Sequence, residues 1–266
     1  YPDPNQPWPQ SAFFAQRGSF IRERNKPMND SPPLRLGTWL SIGSPVIAEI
    51  AALSGFDWLL FDLEHGCAGE AALPDQLRAI RGTPAQGIVR VAAPAPDQIA
   101  RVLDWGADGI MVPRVECAAM AESIVRFACH APLGRRGFSR TVRATDYGRK
   151  EHPGKPLILA QVESLAGVAG AEGIAAVEGV DGLFVGPADL RHDLEHAPPG
   201  PHPDYESCLD TVVAAARAHE KVAGILVRDA SAVGAQRERG FTCIAVESDL
   251  GILRRSYSAL TGASLP

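Results

Sequence analysis

From residue 35 onward the chain alternates short apolar runs with Ala-rich stretches of helical period, and does so eight times. The runs are RLGTWLSI (35–42), DWLLFD (57–62), GIVRVA (87–92), GIMVPRV (109–115), LILAQVE (157–163), GLFVG (182–186), VAGILV (222–227) and CIAVES (243–248). Between them lie SPVIAEIAALSG, PDQLRAIRG, PDQIARVLDWG, CAAMAESIVRFACHA, LAGVAGAEGIAAVEG, ESCLDTVVAAARAHE and VGAQRERG, with a last helix near 249–260. Strands separated by helices build right-handed βαβ units around a parallel sheet. Eight units, in a chain close to the ~250 residues typical of that architecture, predict an α/β fold: a single-domain (β/α)8 TIM barrel over residues 35–266. A doubly wound open sheet is the competitor. It is disfavoured in its dinucleotide-binding form because no GxGxxG follows the first strand.

Composition narrows the partners. A net charge of −5 and a pI near 5.8 leave no basic excess for nucleic acid. No apolar run approaches the ~18–20 residues that span a bilayer. The five cysteines (67, 117, 129, 208, 243) are scattered and never spaced as CxxC, a pattern of reduced thiols in a cytoplasmic protein. Residues 1–34 read as an extension outside the barrel, disordered or not native. YPDPNQPWPQ carries four prolines in ten residues, and the functional protein is expected to start near Met28.

In a barrel, the groups that do chemistry project from the C-terminal ends of strands. His65 follows the second run, Arg90 lies late in the third, Glu163 ends the fifth and Asp189 follows the sixth. Strand alternation puts Gln161 and Glu163 on one face with Leu159, and sets Arg90 opposite Val89 and Val91. If the apolar faces meet helices, the polar side chains point into the barrel mouth, where burial without partners is costly. Glu163 and Asp189 could share a hard divalent cation, and Arg90 could face a substrate anion or oxyanion. A buried Glu163–Arg90 ion pair would account for the same residues without chemistry.

In GPAD (186–189), Pro187 at a first helical position would leave the amides of Ala188 and Asp189 free for a carboxylate, although an ordinary tight turn reads the same way. His65 suits general-base work, with Asp62 or Asp104 to orient it and Glu64 as a rim charge. Cys67 lies near the mouth but nothing there would activate it. HDLEH (192–196) spaces two histidines four apart, as chelation on a helix requires. The following APPGPHPDY reads as loop, so no ion is expected there. GRRG (134–137) reads as a solvated loop.

FDWLLFDLEHG, GIMVPRVE, GRRGFSR, LAQVES, EGVDGLFVGPADL, HPDY and IAVESDLGILRR occur in order over roughly residues 35–260. Together they resemble the HpcH/HpaI aldolase/citrate lyase family, and within it the metal-dependent class II pyruvate aldolases. The resemblance implies a TIM barrel whose last helix is exchanged between subunits of a homo-oligomer, a hexamer built as a trimer of dimers. It implies Mg2+, Mn2+ or Co2+ held by Glu163 and Asp189. Pyruvate would meet the metal, Gln161 and the amides of Ala188 and Asp189. Arg90 would face the enolate oxygen, His65 would act as base, and Asp104 would raise the basicity of that histidine. The implied reaction is reversible cleavage of 4-hydroxy-2-oxo acids to pyruvate and an aldehyde. Oxaloacetate decarboxylation, a CoA-thioester lyase and a silent binding barrel are the alternatives. No strand end offers a Schiff-base lysine, in keeping with metal-dependent chemistry. Two departures bear on substrate: Glu247 stands where these aldolases usually carry glycine, and Tyr147 lies in a loop that varies with substrate.

Overall fold

Alternation along each strand sorts the side chains of this sheet into two populations, one facing helices and one filling the space the sheet encloses. The structure, a computed structural model, describes residues 33–262. The expectation for residues 1–34 lies outside the described residues but for the last two.

Eight strands, β1 (Arg35–Leu40), β2 (Trp58–Asp62), β3 (Gln86–Arg90), β4 (Gly109–Val112), β5 (Leu157–Val162), β6 (Gly182–Val185), β7 (Val222–Val227) and β8 (Cys243–Ser248), pair in chain order. All pairs are parallel, and β8 returns to β1, so the sheet closes into the TIM barrel. Leu59, Phe61, Val89, Ile110, Val112, Ile158, Ala160, Val162, Leu183 and Val185 join the continuous apolar cluster beneath the helices. Their alternates Trp58, Leu60, Ile88, Met111, Leu159 and Phe184 are buried in the barrel itself. Trp58 stands edge-on to Phe184 with ring centroids 6.0 Å apart. This filling depends on missing side chains: a Cβ at Gly37 would run into Trp58, and one at Gly224 into Phe184.

The helices are α1 (Pro45–Leu53), α2 (Leu73–Ala79), α3 (Pro96–Asp104), α4 (Ala118–Ala128), α5 (Leu165–Ala176), α6 (Pro187–Glu195), α7 (Tyr205–Ala218), α8 (Val233–Arg239) and α9 (Asp249–Thr261). Serines start three of them, each side chain accepting from an amide three residues on: Ser44 from Ile47, Ser164 from Gly167, Ser248 from Gly251. One reading of the sequence changes. β4 stops at Val112 because Pro113 has no amide to donate and Arg114 takes the left-handed conformation (φ 53°). The segment HDLEH closes a helix, and the residues after it run as loop to the start of α7. Pro187 opens α6 directly after β6, and Leu190 and Leu194, four apart, seat it on the core. Among the described residues, no helix is long and apolar enough to cross a membrane.

Candidate active site

The barrel's mouth is built from strand ends whose inward positions are polar. Arg90 is the last residue of β3 and lies in register with Asp62, the last residue of β2. Its Nε and Nη2 donate to the two Asp62 oxygens at 2.9 and 2.7 Å, and Nη1 lies 2.8 Å from a Glu64 oxygen. The guanidinium also lies 5.1 Å from the centre of the Trp39 ring, whose indole N–H donates to Asp62 at 3.3 Å. Arg90 and Asp62 are both buried. Burial alone would push the Asp62 carboxyl up, but hydrogen bonds and charge from Arg90, with two backbone amides, bring it below the ordinary value. Arg90 therefore pairs with Asp62 and Glu64, and Glu163 is left for other work.

Glu163 follows β5 directly. One oxygen accepts the Arg114 amide at 2.9 Å, and the other accepts the Gln161 side-chain amide at 2.5 Å. Despite both bonds its pKa is pushed up from 4.5 to about 7, first by burial and then by the charges of Asp189 and Glu64. Glu64 is raised too, chiefly by burial. Asp189 lies exposed in the first turn of α6 beside exposed Ala188. Gly186 caps that helix without a side chain, and first-turn amides have no partners within a helix. A Cβ on Gly186 would come within 2.5 Å of the Glu163 carboxylate and 2.9 Å of the Gln161 amide nitrogen, so glycine keeps this cradle open. Gln161 Oε1 is buried and accepts no hydrogen bond. Mutually repelling carboxylates, an unpartnered amide oxygen and a cradle free of side chain fit a divalent cation with oxygen ligands.

His65 sits on the same rim with its side chain largely exposed. Its Nε2 is 3.8 Å from Glu64 Oε1. Asp62 accepts the backbone amides of Glu64 and His65 at 3.0 and 3.2 Å, so it shapes the turn that presents the histidine rather than orienting the ring. Glu64 is more than a rim charge: the DxE spacing at a strand end puts two carboxylates within reach of an arginine on the next strand.

A family model for HpcH/HpaI aldolase/citrate lyase matches residues 35–256. The chain belongs to this family. It is 37% identical to the 5-keto-4-deoxy-D-glucarate aldolase of Klebsiella pneumoniae, over 86% of this chain and 92% of the relative. It is 38% identical to a hydroxypyruvate/pyruvate aldolase of Pseudomonas aeruginosa, over 86% and 87%. Among solved structures, an HpcH/HpaI aldolase/citrate lyase family protein from Burkholderia cenocepacia superposes with a TM-score of 0.79 at 38% identity, covering 86% of this chain and 94% of the other. These matches make the protein a carbon–carbon lyase of the aldolase type.

Three residues singled out from the family pattern lie elsewhere than beside His65. Asp104 ends α3, which runs back from the rim, so it lies at the opposite end of the barrel, next to the segment leading into β4. There it pairs with Arg136, whose side chain is buried, while Arg135 and Gly137 beside it in GRRG are exposed. Tyr147 is on the segment leading into β5, also at that far end, in a left-handed conformation (φ 58°). Glu247 is at the mouth end of β8, with a φ of 58°. The β1–β8 register shifts at this point, and Glu247 occupies the bulge where glycine is the residue of least strain. Its buried carboxylate accepts the Ser248 amide at 3.0 Å and pairs with Arg255 of α9.

Proposed function

We propose that this protein is a metal-dependent pyruvate aldolase that reversibly cleaves 4-hydroxy-2-oxo acids to pyruvate and an aldehyde. The observation that carries this is the Glu163 carboxylate, hydrogen-bonded on both oxygens yet pushed up to about 7 beside Asp189. A divalent cation offsets the burial and the like charge that raise it, and two carboxylates completed by water or substrate oxygens are the donors that Mg2+, Mn2+ or Co2+ accept. Bound between Glu163 and Asp189, the ion would supply Lewis acidity toward a 2-oxo acid.

The chain's own groups do the rest. The free amides of Ala188 and Asp189 hold the substrate carboxylate at the start of α6, with the Gln161 amide beside it. Arg90, held by Asp62 and paired with Glu64, donates two of its five N–H groups to Asp62. Its other N–H groups meet the keto oxygen, where negative charge grows as the C3–C4 bond breaks. His65 takes the C4 hydroxyl proton in the cleavage direction, directly or through water. The aldehyde leaves, and a proton returned to the methylene carbon of the enolate completes pyruvate.

Self-association belongs to the same reading. α9 exposes Leu250, Ile252, Tyr257 and Leu260, and α1 exposes Val46, Ile50 and Leu53, apolar surfaces that an exchanged last helix would cover. The same reading includes a hexamer assembled as a trimer of dimers, in which Asp104 would meet His65 from a neighbouring subunit. All five cysteines are free, Cys67 and Cys117 exposed, which suits the cytoplasm.

The test is proton exchange at the pyruvate methyl group in D2O, followed by NMR with Mg2+ or Mn2+, with EDTA, and in Glu163→Ala. Exchange that requires both metal and Glu163 is expected. No exchange with any metal would overturn the pyruvate-aldolase reading.

A further inference from the structure

The far end of α6 gathers three side chains that this reaction does not use. His192, Glu195 and His196 each offer one ligand atom, and those atoms all lie within 4.8 Å of one another. Their spacing of i, i+3 and i+4 puts them on one face of a single helical turn. All three are exposed, and the two imidazole rings lie 4.2 Å apart between centroids.

The opposite face of α6 is pinned, so the turn that carries the three is held in place. Leu190 is buried, and Leu194 packs on the core. Asp193 accepts the Leu165 amide at 2.7 Å at the start of α5, and the Arg191 guanidinium lies 3.5 Å over the Tyr205 ring. A further contact prepares a ligand atom. Nδ1 of His196 lies 2.8 Å from the His192 carbonyl oxygen. A carbonyl can only accept, so Nδ1 carries the proton and Nε2 presents its lone pair outward, which is how metal-binding histidines are commonly oriented. The last turn of a helix also carries the negative end of its dipole, which favours a cation.

We propose that His192, Glu195 and His196 form a second metal site, on the surface, that binds Zn2+ or a similar borderline ion. Two imidazoles and one carboxylate are donors for zinc, copper, nickel or cobalt, whereas the carboxylate pair at the barrel mouth suits a hard ion. Zinc held by three side chains keeps its remaining position for water or an added ligand. The ion clips the last turn of the helix whose first turn carries Asp189, roughly 9 Å away at ~1.5 Å per residue.

The experiment titrates Zn2+ into the full-length protein in excess Mg2+, by equilibrium dialysis. It compares the parent chain with His192→Ala, His196→Ala, the double variant, and Glu163→Gln as a control for the barrel mouth. The parent and Glu163→Gln should each bind one more zinc per chain than the double histidine variant, and each single histidine variant should bind that zinc at least tenfold more weakly. Cu2+ loaded into Glu163→Gln should give an electron paramagnetic resonance spectrum split by two nitrogens, lost in the variant that also lacks both histidines. Zinc stoichiometry unchanged by the histidine substitutions, or zinc lost entirely with Glu163→Gln, would overturn the proposal. Because the three side chains are exposed, folding of the variants is checked by circular dichroism without expecting a change.

Discussion

Replacing Glu163 with glutamine should make the metal-free protein more stable above neutral pH and remove part of its pH dependence. In the folded chain the Glu163 carboxyl keeps its proton up to about pH 7, whereas the unfolded chain releases it near 4.5. Across that interval the folded state binds more protons, so stability falls as pH rises. The contribution is fully present below pH 4.5 and is lost by the time pH passes 7. At about 1.4 kcal/mol per pH unit, the span from 4.5 to about 7 amounts to roughly 3 kcal/mol. Glutamine carries no charge at any pH. It can keep the Arg114 amide as a donor, and a half-turn of the Gln161 amide would bring its unpartnered Oε1 to face the new NH2 group. Urea melts in EDTA at several values between pH 5 and 8.5 measure the difference between the two proteins. The gap should grow in favour of Glu163→Gln by roughly 3 kcal/mol across the series. Parallel curves would refute the reasoning, because burial and the neighbouring carboxylates would then not be holding the Glu163 proton. Mn2+ should restore the parent chain at high pH and do little for the variant, since binding the metal takes the place of the proton.

Gly186→Ala keeps a backbone conformation alanine tolerates (φ −93°) but drives a methyl group into the Glu163 carboxylate. Mn2+ affinity should fall at least tenfold with a stability loss of about 1–3 kcal/mol, and unchanged affinity would show that the cradle is not where metal binds. Asp62→Asn leaves the buried Arg90 with one carboxylate partner. It should cost about 3 kcal/mol in a denaturation experiment at pH 7, with catalytic turnover falling as well, because the guanidinium loses its two-pronged anchor. Arg255→Ala strands the buried Glu247 carboxylate, so adding Glu247→Gly to that variant should recover melting temperature; a double variant less stable than Arg255→Ala would mean the pair does not account for the strained bulge.

Much of the mouth was legible because pleating is local. Two residues fix which side of a strand a third will face, and the apolar partners Val89, Val91, Ile158 and Val162 announced that Arg90, Gln161 and Glu163 point inward. The eightfold alternation likewise carried the barrel, since parallel strands joined by helices have few ways to close. What could not be read is which charge meets which. Arg90 pairs with Asp62 and Glu64 because β2 and β3 align Asp62 with Arg90, and a shift of one residue would have separated them. Asp104 is close to Arg90 in sequence yet lies at the other end of the barrel, because a helix reverses the direction of the strand before it. Periodicity and composition are properties of neighbours along the chain, and they settled the architecture and the inward face. Partners 26 and 28 residues apart depend on sheet register and on the burial that closing the barrel imposes, and those exist only once the whole chain has folded.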